Sequence, residues 1–145
     1  MKVYGNIFIL AAVMFASACG NIGLTHDELH TIDSADADGV MRVLTIYDKE
    51  DSLVLRTPCA DFGEGDLERM FADSLSPCAR LASQMVATVT SPEQDGVGIA
   101  GPQVGISRRI IAVQRFDKPG NPFEVYPNVR ILEGRGDRRT GVEGC

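Results

Sequence analysis

Few side chains in this 145-residue sequence could do chemistry together. Gln103 is one, set in Gly96-Val97-Gly98-Ile99-Ala100-Gly101-Pro102-Gln103-Val104-Gly105. Four glycines and a proline in ten residues rule out regular helix or strand throughout and describe a shaped loop. Such a loop brings backbone groups close to a ligand, and its one polar side chain, a primary amide, can donate a hydrogen bond. Cys145, closing the sequence in Glu143-Gly144-Cys145, is a second candidate, because a thiolate is a nucleophile or a metal ligand. The only histidines, His26 and His30, are a third. At i and i+4 on a helix they would share a face and could bind zinc. Their Glu28, however, stands at neither position that a zinc protease motif requires. The surrounding segment also lacks apolar periodicity, so this pair reads as two solvated linker residues.

Gly96-x-Gly98-x-x-Gly101 matches the dinucleotide fingerprint by its letters. The fingerprint needs a strand before it and a helix after it, so that a pyrophosphate meets the helix N-terminus. Here a helical pattern precedes, Pro102 follows at once, and the next pattern is a strand. The acidic residue after the loop, Asp117, comes early, 16 residues past Gly101, and in a turn. A phosphate cradle is excluded by context.

The elements around the loop read as follows. Residues 41–47 alternate and predict a strand, and residues 51–58 lead into a turn. Asp66 could cap a helix that carries Leu67, Met70, Phe71 and Leu75 on one face. Ser76-Pro77 starts a second helix, with Leu81, Met85 and Val89 at i, i+4 and i+8, ending before Pro92. Residues 109–114, 123–126 and 129–132 predict strands, separated by Pro119-Gly120-Asn121 and Pro127-Asn128. The order of helices, loop and strands is an α+β pattern.

The chain suits one domain, and its net charge of −6 argues against general nucleic-acid binding. Arg108-Arg109 and the group of Arg135, Arg138 and Arg139 read as solvated strand ends or turns. At the N-terminus, Lys2, the apolar run 7–15 and Ala16-Ser17-Ala18 form an export signal, residues 1–18. Cys19 directly after it resembles the lipidated cysteine of bacterial lipoproteins, although Ala16 replaces the usual leucine. Residues 19–39, rich in Asp, Thr, Ser and Gly, read as a flexible tether, and residues 40–145 as the domain. Membrane attachment would then run through the signal or a lipid on Cys19. Outside the cytosol Cys59 and Cys78 could pair as a disulfide.

Residues 96–105 and the closing Glu143-Gly144-Cys145 together resemble the first two signature motifs of the peptide deformylases, G-x-G-L-A-A-x-Q and E-G-C-L-S. Ile99 replaces the leucine and Gly101 the second alanine. Leu55-Arg56-Thr57-Pro58 resembles the family's N-terminal leucine-arginine segment, and the flanking helix and strand fall where the family has them. The resemblance, over roughly residues 40–145, implies a metallohydrolase that removes the formyl group from formyl-methionyl peptides. It implies a divalent metal, ferrous iron first and zinc or nickel as alternatives, whose bound water is acidified for attack. Cys145 matches the metal-binding cysteine, and Gln103 the glutamine that donates to the oxyanion. Val97 and Gly98 match the backbone that pairs with the extended formylated peptide. Glu143 matches a residue supporting the metal site.

The family's third motif, H-E-x-x-H, supplies two histidine ligands and a general base. No histidine follows His30. The resemblance therefore implies a C-terminally truncated deformylase-like domain with one metal ligand of three, expected inactive as given. A non-catalytic exported lipoprotein that keeps the peptide-binding loop is the alternative. A secreted domain of other function, stapled by Cys59 and Cys78, is a third.

Overall fold

The computed structural model describes residues 23–134, 136, 140 and 141. Four helices precede a three-stranded antiparallel sheet: α1 (His26–Asp33), α2 (Lys49–Leu55), α3 (Glu64–Ala72), α4 (Pro77–Thr90), β1 (Gly98–Ala100), β2 (Ile110–Gln114) and β3 (Phe123–Pro127). The α+β expectation holds.

The axis of the fold is α4. Ser76 Oγ accepts from the Ala79 N–H at 3.2 Å and Pro77 occupies the first turn, as its sequence predicts. Leu81, Met85 and Val89 are buried along one face, with Ile32, Ile99, Ile110 and Ala112 packed in the same core. The sheet runs in the order β1-β2-β3, with Ile99 opposite Ala112 and Ala112 opposite Val125. These three residues lie on the sheet face that meets the core. Period-2 alternation on β2 thus puts Ile110 and Ala112 inside and leaves Ile111 and Val113 half-buried.

Several expectations are corrected. Residues 26–33, read as tether, form α1. Thr25 and Glu28 make a reciprocal capping box, with 2.8 Å from Thr25 N–H to Glu28 Oε2 and 3.2 Å from Glu28 N–H to Thr25 Oγ1. Ile32 is fully buried, and Gln84 Nε2 donates to its carbonyl at 2.9 Å, so α1 is part of the core. His26 and His30 do sit on this helix, and both remain exposed.

Residues 41–47 form no strand. Their alternation reports burial without pairing: Met41 is buried and Val43 packs on the core, whereas Arg42 is exposed. Their N–H groups are satisfied one at a time, Met41 by Thr88 Oγ1 (2.9 Å), Leu44 by the Gln103 carbonyl (2.8 Å) and Thr45 by Asp51 Oδ2 (2.9 Å). Of residues 51–58, expected to lead into a turn, 51–55 belong to α2, capped by Asp48. Asp66 does not cap α3. Gly63 does, and Asp66 is buried one turn in, paired with Arg69 at 2.8 Å. Phe71 and Leu75 are exposed, so only Met70 and Leu67 of the expected face reach the core. Residues 129–132 are not a strand either. β3 ends where Asn128 turns into the left-handed region (φ 55°), and Ile131 and Leu132 lie in solvent. Cys59 and Cys78 are free thiols rather than a disulfide.

Candidate active-site loop

The glycine-rich segment is divided between two conformations. Gly98, Ile99 and Ala100 form edge strand β1, and Gly101-Pro102-Gln103-Val104 a single 3-10 turn closed by Gly105 in the left-handed region (φ 81°). Glycine is required at Gly105 by its dihedral and at Gly101 by space. A Cβ on Gly101 would lie 2.8 Å from the Arg108 carbonyl oxygen, the Ile106 carbonyl oxygen and Ile110 Cγ2. The Ile106 N–H closes the turn onto the Gly101 carbonyl at 2.9 Å.

This turn folds Gln103 back onto the strand. Its Oε1 accepts from the Ala100 N–H at 2.8 Å. A backbone N–H only donates, so the atom facing it must be the amide oxygen, and the NH₂ end is turned away from the strand. Nε2 has no protein acceptor among the described residues. The Gln103 carbonyl is held by the Leu44 N–H, which fixes the turn from the other side.

The register tells which backbone groups of β1 remain open. Val97 accepts from the Gln114 N–H at 2.8 Å, and Gly98 stands opposite Val113. In an antiparallel ladder successive residues face opposite sides, so residues 97 and 99 point to β2 while Gly98 and Ala100 point to the outer edge. The Ala100 N–H is taken by Gln103, which leaves the N–H and C=O of Gly98 on an edge without a neighbouring strand among the described residues. Of the two expected peptide-contacting residues, Gly98 therefore offers backbone groups, and Val97 is itself 58% exposed. A Cβ on Gly98 would make only ordinary contacts, 3.4 Å to the Ala112 carbonyl and 3.5 Å to Val113 Cγ1.

Behind the loop, charges pair closely. Arg108, expected in solvent, is 2% exposed and bound by Glu28. Arg109 Nε donates to Asp61 at 2.5 Å, and Arg130 also reaches Asp61. The hydrogen bond from Arg109 is the main reason the Asp61 carboxyl is held below the usual range. A cavity of about 670 Å³ between residues 36–43 and the end of α4 includes neither Gly98 nor Gln103.

Cys145, Glu143 and Cys19 lie outside the described residues. Among the described residues no three His, Cys, Asp or Glu side chains come together to hold a metal ion. Nor is any described helix long and apolar enough to cross a membrane.

A sequence model of the family described as polypeptide deformylase matches residues 41–145. The chain belongs to this family. It is 42% identical over 66 residues to a peptide deformylase of Desulforudis audaxviator, covering 46% of this chain and 40% of that protein. Against peptide deformylase 1 of Bacillus cereus it is 35% identical over 105 residues, 72% of this chain and 58% of the relative. The fold is similar to class I type b peptide deformylase from Acinetobacter baumannii. With the actinonin-bound form the TM-score is 0.55 at 32% identity, over 73% of this chain and 62% of that one. With the Met-Ala-Ser-bound form it is 0.54 at 32% identity, over 73% and 64%. The chain thus spans less than two thirds of the length of these relatives.

The family implies a metal. Among the described residues no donor set holds one, and His26 and His30 stand exposed on α1. Sequence reasoning missed Arg108 and Glu28, the pair that anchors the loop from behind. The visible signal was the capping box Thr25-x-x-Glu28 ahead of Leu29 and Ile32.

Proposed function

We propose that residues 96–105 are the peptide-binding and oxyanion part of a deformylase-type amide hydrolase acting on N-formylmethionyl peptides. The observation that carries this is the pinned amide of Gln103. With Oε1 held by Ala100, Nε2 is oriented beforehand as a donor beside the open edge of β1. An extended peptide adding to that edge would pair with the N–H and C=O of Gly98 and run towards Gln103. The Gln103 amide would then donate to the oxygen that becomes anionic as the formyl carbon turns tetrahedral. A donor fixed in advance needs no reorganisation at that moment. The ligands reported for the Acinetobacter relative, actinonin and Met-Ala-Ser, suit this reading because the second is a short peptide beginning with methionine.

By the same resemblance Cys145 would be the metal ligand of this chain, Glu143 its support, and ferrous iron the first metal to test. These 145 residues contain no H-E-x-x-H, so alone they are expected to bind peptide without releasing formate. The test is a formate-release assay on the chain extended by a peptide-deformylase segment that carries H-E-x-x-H. Turnover of formyl-Met-Ala-Ser is expected, and Gln103→Leu should lower it about 10²–10³-fold. Equal turnover with and without the Gln103 amide would overturn the role. Binding without turnover, even in the extended chain, would favour the non-catalytic peptide-binding lipoprotein.

Export and lipidation at Cys19 rest on the residue pattern 2–19 alone. Palmitate labelling of the membrane fraction that disappears in Cys19→Ser would support them; labelling that persists would exclude Cys19.

A further inference from the structure

The family match begins at residue 41, yet α1 lies before it and is built into the core. Its link to the rest is a buried charge cluster. Arg108 donates from Nε to Glu28 Oε1 at 2.6 Å and from Nη2 to Glu28 Oε2 at 2.8 Å, a bidentate pair spanning 80 residues of sequence. The same guanidinium donates to the carbonyls of Gly23 and Asp61, each at 2.9 Å, and lies 5.7 Å from the centre of the Phe62 ring.

The backbone of residue 108 is also the wall of the glycine turn. Arg108 and Ile106 carbonyls close on Gly101, the Ile106 N–H bonds the Gly101 carbonyl, and the Arg108 N–H bonds the Ile106 carbonyl at 2.8 Å. α1 reaches the other end of the turn directly, since Thr31 Cγ2 lies 3.5 Å from where a Cβ on Gly105 would be. One end of the turn that carries Gln103 is thus walled by the backbone of a residue whose side chain Glu28 holds, and the other lies beside Thr31 of α1.

We propose that α1 is a positioning element of the peptide site, with Glu28 holding Gln103 in place through Arg108 and the 3-10 turn. Glu28 touches no substrate in this reading. It fixes the carbonyl wall against which Gly101 rests, and through it the direction of the Gln103 amide. Because Arg108 is 2% exposed, replacing Glu28 removes the bidentate acceptor that fixes its guanidinium, and the backbone of residues 106–108 is expected to loosen. That the positioned residue serves peptide binding rests on the function proposed above; the positioning itself does not.

Hydrogen exchange decides it on the whole chain. In Glu28→Gln the amides of Ala100 and Ile106 are expected to exchange at least about tenfold faster, while those of Met85 and Val89 in α4 keep their wild-type rates. A merely structural role would accelerate all four together, and that result, or no change at Ala100 and Ile106, would overturn the proposal. If Glu28→Gln does not fold, Thr25→Ala loosens α1 at its cap and keeps the ion pair. The same two loop amides should then accelerate selectively, and wild-type protection there would overturn it. Titration with Met-Ala-Ser separates the two readings. If the wild type binds, Glu28→Gln should bind at least about fivefold more weakly, and equal affinity would count against the proposal. If the wild type shows no binding, the peptide site fails while exchange still decides the positioning.

Discussion

Gly101→Ala adds a single methyl group where the structure has no room for one. Its Cβ would lie 2.8 Å from two carbonyl oxygens and from Ile110 Cγ2, with the glycine itself buried. Neither carbonyl can retreat freely, since residue 108 is anchored through its side chain to Glu28 and the Ile106 carbonyl accepts from the Arg108 N–H; Ile110 is likewise held in β2. Forcing extra volume into such a site costs roughly 1–3 kcal/mol. Stiffening the unfolded chain returns about 0.4–1 kcal/mol. The net destabilisation is about 1–2 kcal/mol. With a urea slope near the low end for small domains, about 1–1.5 kcal/mol per molar, the midpoint should fall by about 1 M. The family signature carries alanine at this position, so the substitution restores the family residue and is still expected to destabilise this chain. Gly98→Ala is the control: its Cβ would meet nothing closer than 3.4 Å, and its stability should stay within about 0.5 kcal/mol of wild type. An unchanged or raised midpoint for Gly101→Ala would refute the packing argument.

Two further predictions concern ionisation and thiols. Burial acts to raise the Glu28 pKa, but hydrogen bonds from Arg108 and Thr25 outweigh it and hold the carboxyl below its ordinary value. A depressed folded-state pKa stabilises above the unfolded value and is lost as pH falls through the folded one. α1 should therefore stay docked at neutral pH and loosen only below the usual carboxylate range of about 4.3, seen as faster proteolysis at residues 26–33 in acid. Loosening already between pH 6 and 8 would contradict the assignment. Burial first, then the Asp66 charge, pushes the Cys78 thiol up to about 11, whereas Cys59 is only partly covered. Iodoacetamide followed by peptide mapping should label Cys59 in the native protein and Cys78 only after unfolding. Comparable native labelling of the two would contradict this burial.

Where sequence and fold agree, the cause is local. The Ser76-Pro77 start and the Leu81, Met85, Val89 spacing of α4 are decided within fourteen residues, and β2 within five. The 96–105 loop was legible as a shaped backbone because so many glycines leave no other use. Failures arose where the deciding partner is remote. Arg108 looks like a solvated cation until Glu28, 80 residues away, is brought to it. Without that partner α1 looked like linker, its one turn of apolar contacts too sparse to announce a helix. Residues 41–47 show the converse: real alternation, with Met41 inward, but Thr88, Gln103 and Asp51 in place of a neighbouring strand. The direction of the Gln103 amide was not legible either, since it depends on the 3-10 turn bending back to Ala100.

If the open edge of β1 and the amide of Gln103 form one peptide site, both must respond to the same peptide. Titrating ¹⁵N-labelled chain with Met-Ala-Ser, while following backbone amides and the side-chain NH₂ of Gln103, tests this. Shifts concentrated at Val97, Gly98, Ile99 and the Gln103 NH₂, and lost for that NH₂ in Gln103→Leu, are the expected result. Shifts confined to residues 36–43 and 88–94 around the separate cavity, or none at millimolar peptide, would contradict it.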